Sequence, residues 1–117
     1  MSIKEITESF PEYAKDLKLN YSKILNENIL EEEQLYSLIL VSALTIGSGA
    51  FIKSAHNESK NFLSNEFIEA VYIAHSIMSM NATYYRFLHL TKFQEYSSMP
   101  ANLRMLNFNK HKIKKSV

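Results

Sequence analysis

The sequence predicts an all-α fold, and three observations carry that expectation. Only two Gly and two Pro occur in 117 residues, too few for the many tight turns of a β-sandwich or barrel. Apolar residues recur three and four positions apart along most of the chain, the period of helices lying against a core. Hydrophobic residues make up 46% of the chain, with seven Phe and seven Tyr, enough for one core in one domain. Five or six helices are expected over residues 1–106, followed by a basic tail, residues 107–117, that carries four lysines and a histidine without apolar periodicity and is expected to be disordered.

Each element has its own signal. The string "SFPEYAKDLKLNYSKIL" offers Ser9 as N-cap and Pro11 in the first turn, where its missing N–H costs nothing. Phe10, Tyr13, Ala14, Leu17, Tyr21 and Ile24 then share one face. Asn28 is expected to cap the second helix, "ILEEEQLYSLILVSALTI", with Glu31, Glu32 and Glu33 placed to complement its dipole. From Leu35 onward apolar residues occupy every face, which marks a central helix. Gly47 suits a left-handed helix end and Ser48 a following N-cap. Next come an inward stripe of Phe51, Ile52, Ala55, Ser59, Phe62 and Leu63 and an outward set of Lys53, Asn57, Glu58 and Lys60. Ser64 opens a helix with Phe67, Ile68, Val71, Tyr72, His75 and Met78 at core spacing. Asn81 is expected to interrupt it before "ATYYRFLHLTKF", where Tyr84, Phe87, Leu88 and Thr91 continue the stripe, and a short last helix is expected after Pro100 in "ANLRML".

The formal net charge is +1, so no global field argues for nucleic acid or an anionic membrane. The first residues lack an apolar leader and the run Leu35–Leu44 is too short to span a bilayer, so a cytosolic protein with no membrane contact is expected. The absence of cysteine excludes disulfides, thiolate metal sites and thiol catalysis. No phosphate loop, nucleophile elbow or cationic aromatic surface stands out, and no cofactor is expected.

His56 follows the glycine break and lies on the edge between two helix faces. It reads as a helix-edge side chain or, in an enzyme, as a proton carrier. His75, in "YIAHSIM", reads as a hydrogen-bonded core residue or as a second carrier, and His89 is similar. No pair among His56, His75, His89 and His111 shares metal-ligand spacing with a carboxylate, so no metal is expected. The string "MSMNATYYRF" joins Met78, Met80, Tyr84 and Tyr85 to Arg86, a pattern that suits packing, an acid-binding site or a subunit contact.

Four strings in order, "PEYAKDLKLN" (Pro11–Asn20), "EEQLYSLILVSA" (Glu32–Ala43), "IMSMNATYYRF" (Ile77–Phe87) and "MPANLRM" (Met99–Met105), resemble the amino-terminal half of the alkyl hydroperoxide reductase AhpD family, within the carboxymuconolactone decarboxylase-like superfamily. The resemblance implies an all-helical fold of two related halves and self-association as a trimer, hexamer or other oligomer. It places peroxidase chemistry on a Cys-x-x-Cys-x-x-x-His motif and a glutamate in the second half. Where that half would follow Met105, this chain reads "LNFNKHKIKKSV". The segment "VSALTIGSGAFIKSAH" resembles the first-half echo of the redox segment, and counting back from His56 the thiol positions hold Gly49 and Ile52. The resemblance therefore carries no catalytic residue over. It implies packing and assembly roles for Tyr85 and Arg86 and for Leu103, Arg104 and Met105, and as partners a separate cysteine-bearing half or a peroxiredoxin system. Two functions follow as expectations: an oligomeric module without peroxidase activity alone, or a thiol-independent enzyme of lactone decarboxylase or isomerase type.

Overall fold

The computed structural model describes residues 1–106, all-α, and the expected basic tail lies outside them. Six α-helices follow one another: α1 (Ile3–Glu8), α2 (Lys15–Asn26), α3 (Glu32–Ile46), α4 (Gly49–Ser59), α5 (Asn65–Leu90) and α6 (Glu95–Ser98), with a 3₁₀ turn at Glu12–Ala14. No helix among the described residues is long and apolar enough to cross a membrane.

The chain begins with a helix that the sequence reading left out. Ser2 caps α1 and Glu5 returns the bond, a reciprocal capping box that satisfies two orphan N–H groups. Ser9, expected to start a helix, instead ends this one: its N–H bonds the carbonyls of Glu5 and Ile6. Pro11 has no N–H to continue the ladder and pushes its predecessor out of the helical region. The next helix therefore starts only at Lys15. On α1 the i, i+4 pair Ile3 and Thr7 is buried. Ile3 N–H donates to Glu58 Oε1 at 2.7 Å and Ser54 Oγ donates to the Met1 carbonyl at 2.6 Å, so α1 is strapped to α4.

Helix α2 has the expected periodicity but no buried residue. Tyr13 is 93% exposed, Leu17 63% and Ile24 50%. Only Tyr21 reaches the core. Its apolar face is thus real and left uncovered by the described residues. Helix α3 starts at Glu32 rather than after Asn28, because Glu31 takes the cap position and its N–H bonds Gln34 Oε1 at 3.2 Å.

The core lies between α3, α4 and α5. Leu40 and Ala43 of α3 and Ala55 of α4 have no accessible surface, and Leu63, Ile68 and Val71 close the cluster. The central place expected for α3 holds at this face, while Leu38 and Ile46 remain exposed on another. Gly47 ends α3 at φ +82°, and its N–H bonds the Ala43 carbonyl. Phe62 falls in the turn after α4 yet stacks on Tyr36 with ring centroids 3.8 Å apart.

Ser64 caps α5 as expected, accepting from Phe67 N–H at 3.2 Å. Asn81 does not interrupt it: α5 runs unbroken for 26 residues, since one Asn costs a helix little compared with Gly or Pro. Buried residues occur only in its first part, at Ile68 and Val71. Beyond them Tyr85, Phe87 and Leu90 are exposed. The last expected helix is absent. Residues 100–105 are non-helical, with Asn102 at φ +52°, and the short helix α6 precedes Pro100 instead. The radius of gyration, 17.4 Å, exceeds the roughly 13 Å of a compact chain of about 100 residues.

The two glycines should respond in opposite directions. Gly47→Ala places a Cβ in the left-handed region and should cost about 1 kcal/mol. Gly49 lies in α4, and a Cβ there meets no atom within 4 Å, so Gly49→Ala should be neutral or stabilising by up to about 1 kcal/mol. Denaturant titration of both variants checks the sign of each change.

Candidate functional site

Two polar clusters stand out. The first joins α4 to α5, where His56 Nδ1 lies 3.1 Å from the Tyr72 hydroxyl and the two rings meet edge-on at 5.9 Å. Both side chains are half-buried. Whichever group donates, one imidazole nitrogen is committed to Tyr72 and the other remains for a second partner. His56 is therefore more than a bare helix-edge residue. His75 stays on its own helix, with Nε2 3.4 Å from Ser79 Oγ. His89 is exposed. Among the described residues no three His, Asp or Glu side chains converge as a metal site would require.

The second cluster surrounds Glu58, expected to face solvent but half-buried. Its carboxylate accepts the Ile3 N–H at 2.7 Å. Tyr21 of α2 has its hydroxyl pKa pushed up from 10.0 to about 12, first by burial and then by the charges of Glu58 and Tyr36. Tyr36 is raised too, by burial and then by Glu58 and Glu32. Helical spacing places Tyr21 on an inward face but gives no hint that Glu58 reaches it. The capping-box string Ser2 to Glu5, which reveals α1, is the one local signal that would have drawn Glu58 inward.

The glycine break is built as its sequence suggests. Gly49 opens α4, Ile52 follows one turn on and His56 one turn further, three and four residues apart and so on one face. Gly49 is exposed and Ile52 half-buried, and neither carries a nucleophile. Glu32 and Glu33 occupy the first turn of α3 with exposed side chains, which suits dipole compensation. Tyr85 is exposed and meets Tyr84 edge-on at 5.3 Å. Arg86 and Arg104 are exposed, whereas Leu103 is half-buried. Ser59 Oγ is buried with no hydrogen-bond partner among the described residues.

No family model matches the chain. Curated relatives do. A protein of Maricaulis maris is 42% identical over 105 residues, 90% of this chain and 61% of that protein. One of Rhizorhabdus wittichii is 40% identical over the same share of this chain. One of Acidobacterium capsulatum is 38% identical over 112 residues, 95% of this chain and 61% of its own length. All three are named alkyl hydroperoxide reductase AhpD. Over nine-tenths of its length the chain is similar to AhpD proteins. It spans about three-fifths of the length of these AhpD proteins, and it contains no cysteine.

Two outcomes follow from the clusters. Because Tyr21 has its hydroxyl pKa raised, its neutral form contributes stability that is fully present below pH 10 and is lost as pH rises through about 12. Unfolding followed between pH 9 and 12 should show that loss in the wild type and less of it in Tyr21→Phe. His56→Ala and Tyr72→Phe should each cost about 1 kcal/mol, the net worth of one hydrogen bond. The double variant should cost less than the sum, which a denaturation cycle measures.

Proposed function

We propose that this chain is a cysteine-free AhpD-like helical module that self-associates and has no peroxidase turnover of its own. The observation that carries the reading is the apolar face left open by the fold. Among the described residues 21 large hydrophobic side chains are exposed, against seven buried hydrophobic residues in the core. The open residues include Tyr13 in the 3₁₀ turn, Leu17 and Ile24 on α2, and Tyr85, Phe87 and Leu90 on α5. Surfaces of this kind on cytosolic proteins are covered by a partner. A trimer or hexamer of this chain is the first candidate, with Tyr85, Arg86 and Arg104 as assembly residues. A separate cysteine-bearing AhpD half, or a peroxiredoxin system, is the second. Thiol-based peroxide cleavage needs a thiolate, and no side chain of this sequence supplies one.

The test combines sizing with an assay. Light scattering at micromolar concentration should find a species larger than one chain, and a dithiol-coupled assay with an organic hydroperoxide should find no multiple turnover. A strict monomer would remove the assembly reading, and sustained thiol-linked turnover in metal-free protein would remove the other half.

One observation favours a second reading. The His56–Tyr72 contact holds an imidazole in a fixed orientation at a half-buried position, a requirement for a positioned acid or base. In a thiol-independent enzyme of lactone decarboxylase or isomerase type, His56 would carry the proton. His75, held by Ser79, is the weaker candidate. A screen against small lactones and β-keto acids decides it: loss of roughly 100-fold in a folded His56→Ala variant would place the chain in the enzyme class.

A further inference from the structure

Four of the five methionines, Met78, Met80, Met99 and Met105, lie on α5 or in the chain that follows it. Met80 and Met105 line the same shallow groove of about 170 Å³, together with Ser76, Ile77, Arg104 and Leu106. Across it Asn81 Nδ2 donates to Met105 Sδ at 3.4 Å. Among the described residues this is the hydrogen bond that ties residues 100–106 back to α5. A thioether is a weak acceptor, so the segment is held by a weak bond and by apolar contact. Met105 is 46% exposed, so a small oxidant can reach this side chain without any unfolding.

We propose that Met105 is an oxidation site, and that its conversion to the sulfoxide by a hydroperoxide detaches residues 100–106 from α5. The sulfur lone pair attacks the terminal oxygen of ROOH. An S–O bond forms as the O–O bond breaks, and the proton of the transferred oxygen passes to the departing RO⁻. The thioether loses two electrons, and the hydroperoxide is reduced to ROH. The step needs no thiol, metal or cofactor. It is stoichiometric in methionine, so it is compatible with the absence of peroxidase turnover, and it requires that Met105 stay as accessible as it is in the single chain.

The consequence comes from the groove. An oxygen added at Sδ enters the space across which Asn81 approaches the sulfur, and it turns polar a side chain that lines the groove with Ile77, Met80 and Leu106. A polar, chiral sulfoxide is poorly placed against this lining and draws the side chain toward water. Met78, at 64% exposure, is the more open thioether. No hydrogen bond to it is found among the described residues, so its oxidation should have no such effect.

The experiment treats the full chain with hydrogen peroxide or tert-butyl hydroperoxide, maps sulfoxides by peptide mass and follows tryptic cleavage after Arg104. Cleavage should accelerate severalfold once Met105 is oxidised and return to its initial rate after treatment with methionine sulfoxide reductase. Met78→Leu should leave the response intact. Met105→Leu, which keeps the apolar contact, should abolish it. Met105→Gln should cleave fast without oxidant. Should that variant misfold, the oxidised wild type still gives the readout. Unchanged cleavage with Met105 fully oxidised, an undiminished response in Met105→Leu, or a Met105 that stays reduced while Met78 is oxidised would each overturn the proposal.

Discussion

The close approach of α4 to α3 is the contact on which the rest of the fold depends. Gly47 reverses the chain in the left-handed region, and α4 returns against α3 with Ala43 and Ala55 fully enclosed. Side chains this small let two helix backbones come near, and Leu40 then fills the space that α5 closes with Ile68 and Val71. Ser59, also on α4, is buried with no partner for its hydroxyl among the described residues, a local cost of burying a polar group. Each buried Leu, Ile or Val contributes about 1.5–3 kcal/mol, so a core of this size leaves little margin. Helix α2 and the far part of α5 add little to that core, since their apolar side chains stay exposed.

What was legible in the sequence follows from how local the cause is. Gly47 and Ser64 could be placed because a left-handed helix end and an N-cap are decided by a few adjacent residues, whereas Ser48 takes the N-cap position without a side-chain cap bond. The inward stripe of α4 was legible by spacing, and so was the central role of α3. The misplaced helix starts share one origin: Asn28 and Ser9 are good caps, but Gln34 reaches back to the Glu31 N–H, and Ser2 and Glu5 exchange reciprocal bonds. Asn81 stands where a break is expected, yet α5 runs through it and its side chain makes a contact 24 residues away. The site was less legible still, since the pairing of His56 with Tyr72 and the inward turn of Glu58 both arise from tertiary packing that no local pattern encodes.

The histidine-bearing helix shows how scaffold and chemistry separate. Gly49, Ile52 and His56 occupy successive turns of one face, a geometry that would bring a nucleophile and a base together if nucleophiles were present. Here the first position has no side chain and the second has a hydrocarbon one. The imidazole turns to a tyrosine instead, and the contact ties α4 to α5. An arrangement suited to proton transfer thereby serves as a cross-link between helices.

The parallel stack of Tyr36 on Phe62, 3.8 Å apart and tilted by 6°, gives this protein an optical signature of its own. The chain has no tryptophan, so its near-ultraviolet absorption comes chiefly from tyrosine. Rings fixed in chiral surroundings give near-ultraviolet circular dichroism that vanishes when packing loosens, even where helices persist. Phe62 sits in the turn after α4 and Tyr36 on α3, so part of that signal reports whether the end of α4 is seated. Spectroscopy at tyrosine wavelengths can therefore follow the seating of one joint separately from the far-ultraviolet signal of the helices.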